Sequence, residues 1–389
     1  MKARLFLAIA GALGLIGCSR PSAELRDAPV DGACLAEAAA PIVDATAPLA
    51  RLPAVSTPGS PWNVILISVD SLRADQPWAG YARPVAPRLT ALYAKSTAYT
   101  HGYATSSFTS KSLAGMLTGR YPSELARTGS FFTRYLEPKD FLCTSLAVDG
   151  IPCIGGHAHA YFDSKQSGYE NGFSMWRLVS GIQFDYQTDP YVTSDKLTPL
   201  AIDMLQKQPA APFFAWFHFM DPHDEYKTHV ESPHWGKKPR DLYDEEVFYT
   251  DLWIGKLLDW VDTQSWAART IVAITADHGE MFGEHGMNRH AHELWEELVR
   301  VPLFFYIPRR GARVIDEPRS HVDLAPTFAE LLGAKLEFPG TSLVPELEGG
   351  TGAPRDVIAD VCPGRARNRA RARTMMRAGG FCRSGRVAG

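Results

Sequence analysis

A chain of 389 residues, 45% hydrophobic and 11% aromatic, carries enough apolar surface to bury a sizeable core, which excludes a wholly disordered protein. A formal charge of −3 creates no global field that would draw it to nucleic acid, and no nucleic-acid module is visible. The length alone fits either two average domains or one large α/β domain.

Lys2 and Arg4 form a basic start, and Leu5 to Ile16 is an apolar run too short to span a bilayer, so residues 1–17 read as an export signal. The run ends in Leu15, Ile16, Gly17 and Cys18, which resembles the lipobox of bacterial lipoproteins, cut before the cysteine that then receives lipid. Ser19 at the next position implies an outer-membrane destination and a membrane partnership through the anchor; a plain secretory signal is the alternative. No later stretch is long and apolar enough to cross a membrane. Residues 18–60, rich in Ala and Pro, read as a flexible tether.

The composition changes at Trp62. Strands are predicted at Val64–Val69, Phe141–Val148, Phe213–Phe219, Thr270–Thr275 and Pro302–Ile307. Helices are predicted at Pro87–Lys95, Ser110–Leu117, Pro199–Lys207, Glu245–Asp262 and Leu324–Leu332, the last with Asp323 placed to cap it. This alternation implies an α/β domain over 61–345, with a mixed, mostly parallel sheet sandwiched by helices. The segment 346–389 is short and basic: Arg365 to Arg386 contains eight arginines and no acid, and reads as a solvated end or a contact for anionic lipid. Lipidation of Cys18 would leave five of the six cysteines, an odd number. Cys143 and Cys153 flank a glycine-containing turn and are expected either to pair or to fill the core.

Two predicted strands empty into acidic residues. The first runs into Ser68, Val69, Asp70, Ser71 and Leu72, and the second into Ala276, Asp277, His278, Gly279 and Glu280. Carboxylates at the ends of parallel strands lie on the usual ligand edge of such sheets. Together with an imidazole they suit one divalent ion. Thr109 stands at the start of a predicted helix among Ser106, Ser107, Ser110, Lys111 and Ser112. The orphan N–H groups and positive dipole end there stabilise an anion, although Ser or Thr at a helix start is also ordinary capping.

Asn63 to Asp75, Thr109 to Arg120, Asp277 to Gly286 and His321 to Leu332 together resemble the sulfatases of the alkaline phosphatase superfamily, over about residues 62 to 345. The resemblance implies a hydrolase with nucleophile Thr109, eleven residues before Arg120, and metal ligands Asp70, Thr109, Asp277 and His278. It also implies His223 and His290 as catalytic histidines, with His218, His292, His159 and Lys111 on the substrate side.

Departures from the family pattern shape the expected chemistry. Sulfatases generally oxidise a cysteine or serine to formylglycine, within a signature carrying Pro and Arg two and four residues later; here those positions hold Thr109, Lys111 and Leu113, and a threonine cannot form that aldehyde. Ser71 replaces the second aspartate of the usual pair and His278 the common asparagine, which favours Zn²⁺ or Mn²⁺ over Ca²⁺ or Mg²⁺. Threonine nucleophiles occur in relatives that cleave or transfer phosphoesters. A phosphate or sulfate ester of a small molecule, lipid or glycan is therefore expected to be cleaved through a covalent Thr109 intermediate, with phosphorus favoured. The alternatives are an envelope phosphoethanolamine- or glycerol-phosphate-type transferase and a catalytically silent binding lipoprotein. The small C-terminal subdomain of the family is expected to be missing or shortened.

Overall fold

The computed structural model describes residues 61–129, 132–163, 167–183, 190–208, 211–361, 373–377 and 380–382. The export signal, Cys18, the tether and most of the arginine-rich tail lie outside the described residues. In chain order the first half contains β1 (Asn63–Val69), α1 (Pro87–Tyr93), β2 (Thr97–Tyr103), α2 (Thr109–Thr118), α3 (Leu142–Val148), β3 (Cys153–His157), β4 (Met175–Leu178) and α4 (Ser194–Lys207). There follow β5 (Phe214–Phe219), α5 (Pro239–Asp262), β6 (Thr270–Ala276), α6 (Glu296–Val299), β7 (Arg300–Tyr306), β8 (Arg313–Ile315) and β9 (Arg319–Ser320). The remaining elements are α7 (Leu324–Leu331), α8 (Val344–Leu347), β10 (Val357–Asp360), β11 (Arg373–Arg377) and β12 (Gly380–Cys382).

The central sheet runs β4-β3-β5-β1-β6-β7-β2-β8, with β9 also on β2, and β7 alone opposes the other strands. Strand β1 lies between β5 and β6, in parallel register with both. Every residue of β1 is buried. Its alternate side chains serve two cores: Val64 and Leu66 join Leu113, Leu117 and Phe328, while Ile65, Ile67 and Val69 join Leu197, Ile254 and Leu257. A strand covered on both faces has no polar side, which is why the run Val64–Val69 is continuously apolar apart from Ser68.

Three local expectations change. Phe141–Val148 is not a strand: α3 buries Leu142, Cys143 and Leu146, an i, i+1, i+4 spacing that makes one helical face, while Val148 is exposed. The strand follows at Cys153–His157, and Cys143 and Cys153 form a disulfide with Cα atoms 5.9 Å apart. Helix α4 begins at Ser194, before Pro199, because Asp221 caps it from outside, accepting the N–H groups of Thr193 (2.6 Å) and Ser194 (2.7 Å). Asp323 does not cap α7 through its side chain. Its carboxylate instead accepts from the N–H of Thr341 (2.9 Å) and from Arg355 (3.0 Å).

Beyond residue 345 the described chain joins the same body. Glu346 in α8 accepts from buried Arg319 at 2.6 Å, and the N–H of Asp360 donates to Thr105 C=O at 2.8 Å. Strands β10, β11 and β12 form a second, antiparallel sheet.

Candidate active site

The site forms where β1 and β6 end side by side. Their register aligns Val69 with Ala276, so the residues that follow, Asp70 and Asp277, leave neighbouring strands at the same level. Ser71 links them. Held at φ 58°, it donates its N–H to Asp277 Oδ1 (3.1 Å) and its hydroxyl to Asp70 Oδ1 (2.9 Å). Gly279 is required by packing, since a Cβ there would lie 2.0 Å from the carbonyl oxygen of Glu297.

Asp277 Oδ1 also accepts the N–H of His278 at 2.8 Å, whereas Oδ2 is buried without a hydrogen-bond partner. His278 lies with Nδ1 2.9 Å from Gly279 C=O. A carbonyl can only accept, so Nδ1 carries the proton and Nε2 presents a lone pair. Ligand atoms of Asp70, Asp277 and His278 all lie within 4.8 Å of one another, and all three residues are buried. Burial and the charge of Asp70 push the Asp277 carboxyl well above the usual carboxylate range, while burial and nearby His290 pull His278 down to about 3. An orphaned carboxylate oxygen, a crowded carboxylate pair and a bare imidazole nitrogen fit a divalent cation.

Thr109 is the first residue of α2. Its Oγ1 lies 3.0 Å from His278 Nε2 and 3.3 Å from Asp70 Oδ2. The next carbonyl, that of Ser110, accepts from the hydroxyls of Tyr135 (2.7 Å) and Tyr169, which fix the start of the helix. Thr109 therefore stands at the positive dipole end of α2, beside the ligand cluster.

His290 packs on His278, with ring centroids 4.2 Å apart and planes tilted by 31°, and its ring lies 5.1 Å from that of His223. It is flanked by two non-glycine residues in left-handed backbone, Arg289 at φ 68° and Ala291 at φ 77°. Its Nδ1 lies 3.2 Å from both oxygens of Glu280. Burial opposes a charged His290, but Glu280 outweighs it and raises the imidazole above its ordinary value.

Residues 62–334 match the family model described as Sulfatase. The chain belongs to the sulfatase family. It is 25% identical over 323 residues to an ulvan-active sulfatase of Formosa agariphila, covering 70% of this chain and 62% of that protein. It is 27% identical over 231 residues to human arylsulfatase D, covering 54% of this chain and 38% of the relative. The chain thus spans less than two thirds of these curated relatives. In fold it is similar to a phosphonate monoester hydrolase of Agrobacterium radiobacter, with a TM-score of 0.63 at 20% identity, covering 77% of this chain and 79% of that one.

Within this sulfatase-family frame the structure gathers Asp70, Thr109, Asp277, His278, His223 and His290 into one cluster. His159 joins its rim: it is half-buried, its Nδ1 accepts the N–H of Tyr161 at 2.9 Å, and burial holds it neutral, down to about 3. Lys111 is buried on α2, its ammonium 3.8 Å from the centre of the Phe108 ring. His292 is exposed and has no described contact with the cluster, and His218 is wholly buried, its Nε2 3.4 Å from Asp70 Oδ2.

Sequence reading missed Glu280 and Tyr226, whose hydroxyl donates to Glu280 at 3.0 Å. The signal lay in the phrases ADHGE and HDEY, but only the fold shows that they meet. It also missed what His321 does. Thr275 donates to Pro302 C=O at 2.7 Å, so its oxygen accepts from His321 Nε2 at 2.9 Å, and Nδ1 faces Ser112 Oγ at 3.4 Å. His321 therefore ties α2 to the strand that delivers Asp277.

Proposed function

We propose that this chain is an exported, metal-dependent ester hydrolase that cleaves a phosphoester of a small molecule, lipid or glycan through a covalent Thr109 adduct. The observation that carries the reading is the placement of Thr109 Oγ1, at the start of α2, 3.0 Å from His278 Nε2 and 3.3 Å from Asp70 Oδ2. Asp70, Asp277, His278 and Thr109 would hold a divalent ion, which would supply positive charge to the reacting groups, and this donor set favours Zn²⁺ or Mn²⁺.

The chain's own groups support the remaining steps. Thr109 reacts as its alkoxide, the hydroxyl proton having passed to solvent, and the positive dipole end of α2 stabilises that charge. As the Oγ–phosphorus bond forms, the bond to the leaving oxygen breaks, and that oxygen takes a proton from His290, whose imidazole Glu280 raises above its ordinary value. His223, with Nδ1 2.6 Å from Asp224 C=O, lies beside it to bind the anionic group. Water then attacks phosphorus and gives a proton to the neutral His290, and the Oγ–phosphorus bond breaks to restore Thr109.

Phosphorus is favoured over sulfur because threonine cannot become the formylglycine used by sulfate-cleaving relatives. A silent binding protein is disfavoured by Asp277 Oδ2, since a buried carboxylate oxygen left unpaired is costly unless a cation meets it. Export as a lipoprotein through Cys18 is supported by the short apolar run before it and by the Cys143–Cys153 disulfide, which suits an oxidising compartment.

The test assays the purified full chain on generic phosphodiester, phosphomonoester and sulfate monoester substrates across a metal panel, beside Thr109→Ala. Phosphoester turnover should exceed sulfate turnover and fall by about 10³-fold or more in the variant. Equal activity in the variant would sink the nucleophile; faster sulfate cleavage would overturn the choice of phosphorus. Acceleration by added alcohols, with product transferred to them, would favour the transferase.

A further inference from the structure

A second tier of polar side chains lies one pleat beneath the metal site. Successive residues on a strand face opposite ways, so Ser68 shares a face with Asp70, Thr275 with Asp277, and His157 with His159. The parallel registers pair His157 with His218, His218 with Ser68, and Ser68 with Thr275. Four buried polar residues thus form a row across β3, β5, β1 and β6. Such a row is destabilising unless its hydrogen bonds are made.

The bonds around His218 have a single consistent direction. Trp216, two residues earlier on the same face of β5, points its indole N–H at Ser68 Oγ, 2.8 Å away. An indole nitrogen only donates, so the Ser68 oxygen accepts there, and His218 Nδ1, also 2.8 Å away, is the one acceptor among the described residues for the Ser68 proton. Neutral His218 then carries its proton on Nε2. That nitrogen makes no hydrogen bond among the described residues, and Asp70 Oδ2 lies 3.4 Å from it. The rings of Phe162 and Trp216, with centroids 5.7 and 5.9 Å from the imidazole, help wall it off.

We propose that Trp216, Ser68 and His218 form a tautomer-fixing relay that aims an N–H at Asp70 and holds its carboxylate in the orientation needed to bind the metal. His218 is thereby a positioning residue and not a substrate contact. The inference rests on the reading of Asp70, Asp277 and His278 as metal ligands. Carboxylate ligands generally depend on such outer partners, whose loss weakens metal binding by about 10–100-fold.

The test strips the purified full-length protein with a chelator and measures Zn²⁺ and Mn²⁺ affinity by competition with a chromogenic chelator, for wild type, His218→Phe, His218→Gln and Ser68→Ala. Thermal unfolding of each metal-free protein reports on folding separately. His218→Phe should weaken metal binding by about 10–100-fold, and His218→Gln, which keeps a donor, should recover most of the loss. Ser68→Ala, which keeps the imidazole but frees its tautomer, should also bind metal more weakly; it decides the matter if His218→Phe does not fold. Unchanged metal affinity in the folded variants would overturn the relay, and a raised KM beside it would return His218 to the substrate. A wild-type protein that binds neither ion would instead overturn the metal site itself, and the relay with it.

Discussion

Asp277 and Asp70 illustrate how a site can be built from groups that resist being together. Each is wholly buried, and Asp277 is pushed well above the usual carboxylate range by burial and by its neighbour's charge. The metal-free pair therefore retains a proton that an arriving cation must displace. Metal affinity should rise with pH until Asp277 loses that proton unaided, and calorimetry in buffers of different ionisation enthalpy should detect proton release on binding. Release of no proton would show that Asp277 is already ionised. Thr109 gives a second expectation at this scale. Thr109→Ser keeps the hydroxyl at the start of α2 but not the methyl that restricts its rotamer, so it should retain part of the turnover that Thr109→Ala loses. The comparison separates a nucleophile from a helix cap, because capping is served equally by either hydroxyl.

At the scale of elements, His321 joins α2 to β6 through Ser112 and Thr275, and burial pulls it down to about 3 from its ordinary 6.5. Between those values the unfolded chain binds a proton that the folded chain does not, so this contribution is full above about pH 6.5 and is lost as pH falls towards 3. Glu246 and Asp251, pushed up by burial to about 7, slope the opposite way, but equally in wild type and variant. His321→Gln should therefore lose less stability than wild type between pH 6.5 and 4, as read from urea unfolding; parallel curves would show that His321 titrates normally. The disulfide acts between α3 and β3. Reducing it, or Cys143→Ala with Cys153→Ala, should lower stability by about 2–3 kcal/mol for so short a loop. These two elements were also the least legible in the sequence. The phrase Cys153-Ile154-Gly155-Gly156-His157 lacks a strand's β-branched run because a Cβ at Gly155 would lie 2.5 Å from Trp176, and at Gly156 3.0 Å from Phe217. The segment Phe141–Val148 reads as apolar enough for a strand until the exposure of Val148 reveals a helical face.

Across the whole molecule, the legible part was the part carried by single strands. Each of β1 and β6 is a buried apolar run that empties into its part of the cluster, so Asp70, Asp277 and His278 could be singled out as candidates without knowing that the strands are neighbours. What could not be read were groups assembled from separate stretches of chain, such as Glu280 with Tyr226 across two loops, or Ser68 with Trp216 and His218, which meet only through the register of β1 on β5. The same architecture predicts how an ion should act on the fold. Asp70 follows β1 and Asp277 follows β6, while Thr109 opens α2, so one ion would join three elements separated by up to 207 residues in sequence. An unfolded chain cannot present these ligands together, and any ion bound to the native state therefore stabilises it by mass action. At a free metal concentration of 100 times Kd, the gain should be about 2.7 kcal/mol, visible as a higher midpoint in urea and reversed by chelation. Asp277→Asn removes the charge that the ion neutralises, so its metal-free form should lose little stability or gain some, while the increment on adding metal should largely disappear. An increment as large in Asp277→Asn as in wild type would place the stabilising ion elsewhere.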